Sequence, residues 1–188
     1  MLGSKDAAIG GHPELTRMVK ARLLPASAVQ IEADERERAA LAERFGVVSI
    51  ESLTAKVELE QCQKGVRAEG ELSARITQLC AVAGEPFAVH IDEPIVLRFI
   101  EEGTSTLTPS GEDDIDFELT ADDCDEIEYD GESFDLGEAV AQTLGLAINP
   151  YAEGPTASKA RKNAGIVEEG QQDGPLAAQL AALRKAND

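Results

Sequence analysis

From Val66 to Cys80 the chain alternates by position. Val66, Ala68, Gly70, Leu72, Ala74, Ile76, Gln78 and Cys80 share one face, and Arg67, Glu69, Glu71, Ser73, Arg75 and Thr77 lie opposite. Successive side chains of a strand point to opposite faces of a sheet, so a period of two sustained this long prescribes a half-buried strand. After the turn-like Ala83-Gly84-Glu85-Pro86 the pattern resumes on the odd positions Phe87, Val89, Ile91, Ile95, Leu97 and Phe99. Two antiparallel strands joined near Gly84 follow, with Pro94 at a bulge or strand end because proline cannot donate to a ladder. Ala55, Val57 and Leu59 alternate in the same way upstream.

Helices flank this hairpin. Asp34 can cap a helix over 34–45, with Glu35 and Glu37 at its positive end and Gly46 supplying the left-handed C′ position. Leu41 and Phe45 fall on its core face. A second helix begins at Asp135, with Glu138 three residues on as in a capping box, carries Leu136, Val140 and Leu144 as its stripe and stops at Asn149-Pro150. Leu15–Leu24 reads as a first strand ended by Pro25. The fold class is therefore α+β: an antiparallel sheet centred on 55–100, extended by 115–129 and packed on helices. Residues 1–12 read as a flexible N-terminus, 13–151 as a single domain, 152–174 as a flexible linker and 175–188 as a C-terminal helix with Leu176, Leu180 and Leu183 on one side.

Charge is distributed unevenly over this framework. The chain has 36 acids against 17 bases, a net of −19. Residues 101–138 hold sixteen of those acids and no Lys, Arg or His, so the remaining 20 acids nearly balance the 17 bases. Regional acidity points to a partner, whereas uniform acidity mostly reports solubility. Residues 103–114 read as a mobile loop, and a sparse alternation of Ile115, Phe117, Leu119, Ile127 and Tyr129 runs among the acids that follow. With Asp135 and Glu138 assigned to the helix start, the partner-binding candidates are Glu112, Asp113, Asp114, Asp116, Glu118, Asp122, Asp123, Asp125, Glu126, Glu128, Asp130 and Glu132.

Several chemistries are disfavoured. Glu126, Glu128 and Asp130 with Gly131 imitate the start of a calcium loop, but its twelfth place is Gly137 where a bidentate Glu is required. Cys62, Cys80 and Cys124 form no C-x-x-C pair, and with only His12 and His90 available a structural zinc site is not expected. There is no phosphate-binding glycine loop and no nucleophile motif. The reading is non-enzymatic, with no cofactor and no metal. Lys159, Arg161 and Lys162 make a small basic cluster in the linker, read as solvated. Without an apolar run of membrane length or a signal-peptide core, the expectation is a soluble cytoplasmic protein with reduced thiols.

Two stretches look familiar. Gln78-Leu-Cys80-Ala-Val-Ala-Gly-Glu85-Pro86-Phe87 resembles the Q-x-C-V-x-T-L-E-P hairpin of alphaproteobacterial YceD-family proteins. Glu128 through Asp135-Leu136-Gly137-Glu138, and on to Asn149-Pro150-Tyr151, resembles that family's acidic lead into I-D-L-G-E and its helix ending in D-P-Y-P-R. Gly174-Pro-Leu-Ala-Ala-Gln-Leu-Ala-Ala-Leu-Arg-Lys is similar to its closing N-P-F-A-x-L-x-x-L-K, so the match runs from about residue 13 to the end. Departures are Ala83-Gly84 for Thr-Leu and Ala152-Glu153 for Pro-Arg. Relatives with a C-x-x-C in the hairpin have no counterpart here, since Ala83 stands three residues after Cys80 where a second Cys would be, and any metal role does not carry over.

The family is that of the large ribosomal RNA subunit accumulation proteins. The resemblance implies a role in synthesis, processing or stability of large-subunit ribosomal RNA, with no demonstrated active site. Direct RNA binding draws its affinity largely from neutralising phosphates, which an anionic chain with seven aromatic side chains (five Phe, two Tyr) is poorly equipped to do. RNA would have to meet the near-neutral hairpin and the basic linker. Alternatively, the acidic segment holds a basic ribosomal or assembly protein in place of the phosphates; electrostatics favours this. The contrasting expectation is an RNA-processing enzyme, or its direct subunit, using carboxylates and magnesium. That would require two carboxylates about 4 Å apart on a rigid element.

Overall fold

The computed structural model describes residues 14–63, 65–103 and 125–166. Its elements are β1 (Met18–Lys20), β2 (Val29–Glu32), α1 (Glu35–Phe45), β3 (Ser49–Cys62), β4 (Gly65–Leu79), β5 (Pro86–Glu101), β6 (Asp125–Tyr129), β7 (Ser133–Asp135), α2 (Leu136–Ala147) and α3 (Ala157–Asn163). Five strands form a sheet in the order β2-β3-β4-β5-β6, and β1 pairs with β7 as a separate two-stranded ribbon. The fold is α+β, mostly antiparallel, built on the long β3-β4-β5 hairpins.

The alternation behaves as a pleated strand requires. Val66, Ala68, Leu72, Ala74, Ile76, Gln78 and Cys80 are buried, and Ile91, Ile95, Leu97 and Phe99 are buried from β5. Pro94 does not end β5, which runs on to Glu101. β6 pairs only with Leu97–Glu101, so among the described residues β5 is a sheet edge at Pro94, where a missing N–H is tolerated.

β6 departs from the expected antiparallel extension by running parallel to β5, with Leu97 opposite Asp125 and Glu101 opposite Tyr129. A parallel neighbour needs a crossover of a dozen or more residues, and the chain between Glu101 and Asp125 is long enough. The expected strand over Leu15–Leu24 contracts to Met18–Lys20, because β7 offers only three residues to pair with it. The 103–114 loop (beyond Gly103), the apolar positions 115, 117 and 119, and the 175–188 helix lie outside the described residues. Within the span expected to be a linker, residues 157–163 form α3. Its Ala, Lys and Arg content favours a helix without a visible apolar period.

The chain divides into two compact units. In the first, residues to Gln78 and 88–149, α1 packs on β3 and α2 on β1. One core joins Leu41, Leu53, Val57, Leu72, Ile76, Ile95, Phe99, Phe134, Leu136 and Leu144. In the second, residues 79–87 and from 150 on, the turn is closed by Cys80 N–H to the Glu85 carbonyl and Gly84 N–H to the Cys80 carbonyl, both 2.8 Å. Gly154 lies against the Phe87 ring: an added Cβ would be 3.0 Å from it.

The helix starts are tied together by arginines. Asp34 and Glu37 form a complete capping box on α1. Arg17 donates to both oxygens of Glu37, at 2.6 and 3.0 Å, and to the Glu32 carbonyl at 3.1 Å. Asp135 Oδ1 accepts from the N–H groups of Gly137, Glu138 and, across the ribbon, Arg17. Glu138 does not complete the expected box; its carboxylate takes both Arg44 nitrogens at 2.9 and 2.7 Å. A bidentate charged pair is stronger than a bond to a neutral N–H.

These pairs set a pH dependence. The hydrogen bond from Arg17 is the main cause holding the Glu37 carboxyl below the usual glutamate range, and Arg44 does the same for Glu138. A depressed carboxylate contributes stability that is present above the unfolded value, about 4.3, and is lost as pH falls through the folded one. Arg17→Met should therefore lower stability by about 1–2 kcal/mol at pH 7, allowing for partial solvent screening. It should also make the loss between pH 5 and 3 less steep, as checked by urea titrations across that range. An unchanged acid slope would show that Glu37 does not depend on Arg17.

Candidate partner-binding edge

The acidic run opens with Glu101 at the end of β5 and re-enters the described structure at β6, which among the described residues is an edge strand of the main sheet. Ile127, Tyr129, Phe134 and Leu136 turn towards the core, and the Phe134 ring stacks on Phe99 with centroids 4.1 Å apart. This segment of the run is thus an amphipathic edge whose apolar residues bind it to the fold. Asp125, Glu128, Asp130 and Glu132 are exposed, while Glu126 is half-buried and paired with Arg98 at 3.2 Å. Arg98 stands directly opposite Glu126 in the ladder, so this carboxylate is already matched within the sheet.

Of the sequence candidates, then, the structure brings Asp125, Glu126 and Glu128 onto β6, and Asp130 and Glu132 onto the turn into β7, with Gly131 in the left-handed conformation at φ 81°. Glu112, Asp113, Asp114, Asp116, Glu118, Asp122 and Asp123 lie outside the described residues. The strand geometry over 125–129 separates Glu126, Glu128 and Asp130 along an extended chain rather than winding them round one point. Among the described residues no three His, Cys, Asp or Glu side chains gather as a metal-ligating group.

The motif residues serve the fold. Gln78 is buried and donates from Nε2 to the Asn149 carbonyl at 3.3 Å, joining the end of β4 to the exit of α2. Cys80 is buried, and its sulfur accepts the Ala83 N–H at 3.3 Å. That bond leads the causes that hold its thiol below the ordinary value, with further help from the N–H groups of Gly154 and Val82. Pro86 opens β5, Glu85 closes the turn, and Leu136 and Gly137 are buried at the start of α2. Gly137 has no room for a side chain, since a Cβ would meet Arg17 N and the Leu15 carbonyl oxygen at 2.7 Å. Pro150 and Tyr151 end the helical region, with Tyr151 80% exposed. On α3, Arg161 pairs with Glu153, donating from Nη1 at 2.8 Å, so the basic cluster is partly neutralised.

Sequence reasoning missed a groove beside the acidic edge. It has a volume of about 650 Å³ and lies between α2 and strands β5 and β6. Val96, Leu97 and Ile127 form its sheet side, and Ala139, Thr143 and Leu146 its helix side. The 139, 143 and 146 spacing is a helix stripe visible in the sequence, but the parallel placement of β6 beside β5 is not.

Compared with family models, curated proteins and solved structures, the chain matches none. The likeness to the YceD family rests on the motifs themselves. No helix among the described residues is long and apolar enough to cross a membrane.

Proposed function

We propose that this protein is a non-enzymatic factor supporting accumulation of large-subunit ribosomal RNA, acting through its acidic edge on a basic ribosomal or assembly protein. The observation that carries the reading is the exposure of Asp125 and Glu128 on an edge strand, and of Asp130 and Glu132 on the turn after it, while the apolar side chains of the segment are committed to the core. Such an edge is a fixed anionic surface, not a loose solvated tail. Positive partners are steered to it and held there, and like-charged RNA is not. The ribosomal setting comes from the motif resemblance, and the choice of a protein over RNA comes from charge. RNA contact through the hairpin and the basic residues of α3 is the weaker reading, because Arg161 is engaged by Glu153.

Affinity capture at low and high salt, with and without ribonuclease, tests this. Basic ribosomal or assembly proteins should be retained after ribonuclease. Raising salt from about 50 to 500 mM should remove most of them, since the screening length falls several-fold. Retention of RNA alone, with everything else lost on ribonuclease treatment, overturns the reading.

A further inference from the structure

The groove between α2 and strands β5 and β6 combines two properties that a partner must match together. Its walls are apolar: Leu97 and Ile127 line it from the sheet and Ala139 and Ala147 from α2, and Leu146, on the same helix, is 85% exposed. Its charge has one sign, because Glu93, Asp125 and Glu126 line it and no Lys or Arg does. Glu126 is matched by Arg98, whereas Glu93 and Asp125 have no ion pair among the described residues. An apolar ligand without charge would leave these two carboxylates desolvated at the rim, and a purely cationic one would leave Leu146 and Ala147 in water. Both costs are removed by a segment that carries apolar anchors beside Lys or Arg.

We infer that this groove is the docking site for a short cationic segment of the protein partner, with apolar side chains seated against Ile127, Leu146 and Ala147 and basic groups over Glu93 and Asp125. The inference rests on the proposed acidic-edge function and narrows it. The edge carboxylates Glu128, Asp130 and Glu132 supply long-range attraction, and the groove supplies the contact that fixes register. Apolar anchoring at the centre with charge at the margin is the usual division of labour in a stable interface.

The test uses the full chain and three labelled synthetic peptides read by fluorescence anisotropy: one of Lys and Leu in helical register, one of Lys and Ser, and one of Glu and Leu. The Lys/Leu peptide should bind at least about tenfold more tightly than either of the others. Leu146→Asn with Ala147→Ser, both on the helix side of the groove, should weaken it about tenfold, whereas Glu58→Gln with Glu69→Gln, a paired site on strands β3 and β4, should change it less than about twofold. If the Lys/Ser peptide binds equally well, or if the two double variants weaken binding equally, the groove is overturned while the acidic surface stands. If neither cationic peptide binds at low salt, the acidic-edge reading fails with it.

Discussion

Phe134→Ala should cost about 4 kcal/mol in urea unfolding, lowering the midpoint with the slope unchanged. Phe134 sits in the most acidic part of the chain, yet it is 1% exposed and stacked on Phe99, with Tyr129 tilted against it at 5.8 Å. Truncating it removes the ring that holds β7 to the face of β5. Ring truncation in a packed core loses both transfer energy and cavity lining. Small domains are stable by only about 5–15 kcal/mol, so this one change would consume a large share. Phe134→Leu, which keeps most of the volume, should cost less than half as much. A cost below about 1 kcal/mol for Phe134→Ala would mean that the acidic segment is not packed on the sheet as described.

Gly70→Ala should be comparably damaging for a different reason, costing about 3 kcal/mol or more. Gly70 stands opposite Val57 in the β3–β4 ladder. A Cβ there would lie 2.0 Å from the Lys56 carbonyl oxygen and 2.8 Å from the Val57 Cα, so two backbones must separate to admit it. Gly46 provides the contrast. At φ 66° with nothing within 4 Å of an added Cβ, Gly46→Ala meets only the left-handed backbone cost, about 1 kcal/mol. Thermal or urea unfolding of the two variants should rank them clearly. The reverse order would show that β3 and β4 are not so close at that point.

The parts legible from the sequence were those whose signals are local. The period-two faces of β4 and β5 and the Asp34 and Asp135 caps of α1 and α2 need only neighbouring residues to be read. Partners far away in the chain were not legible. β2 is four residues long and gains its identity from pairing with β3. β7 is three residues long and pairs with β1. The parallel direction of β6 depends on a return path rather than on any residue within it. Glu138 looked like half of a capping box until Arg44, 94 positions away, was placed beside it. The candidate site divides in the same way. Its acids could be counted in the sequence, but the matching of Glu126 by Arg98 and the groove beside Asp125 arise only when α2, β5 and β6 meet.

The ribbon of β1 and β7 has a consequence for how the molecule is made. Met18–Lys20 has no strand partner among the described residues other than Ser133–Asp135, and Arg17 and Leu15 take their contacts at the same junction. A ribosome adding about 5–20 residues per second emits the first of these strands on the order of ten seconds before the second. Through that interval the β3-β4-β5 meander can close on neighbours already synthesised, while the amino-terminal strand waits with its backbone bare. Native closure of β1 is thus deferred until Ser133–Asp135 has been made, and this joint ties an early strand to the far side of the acidic run.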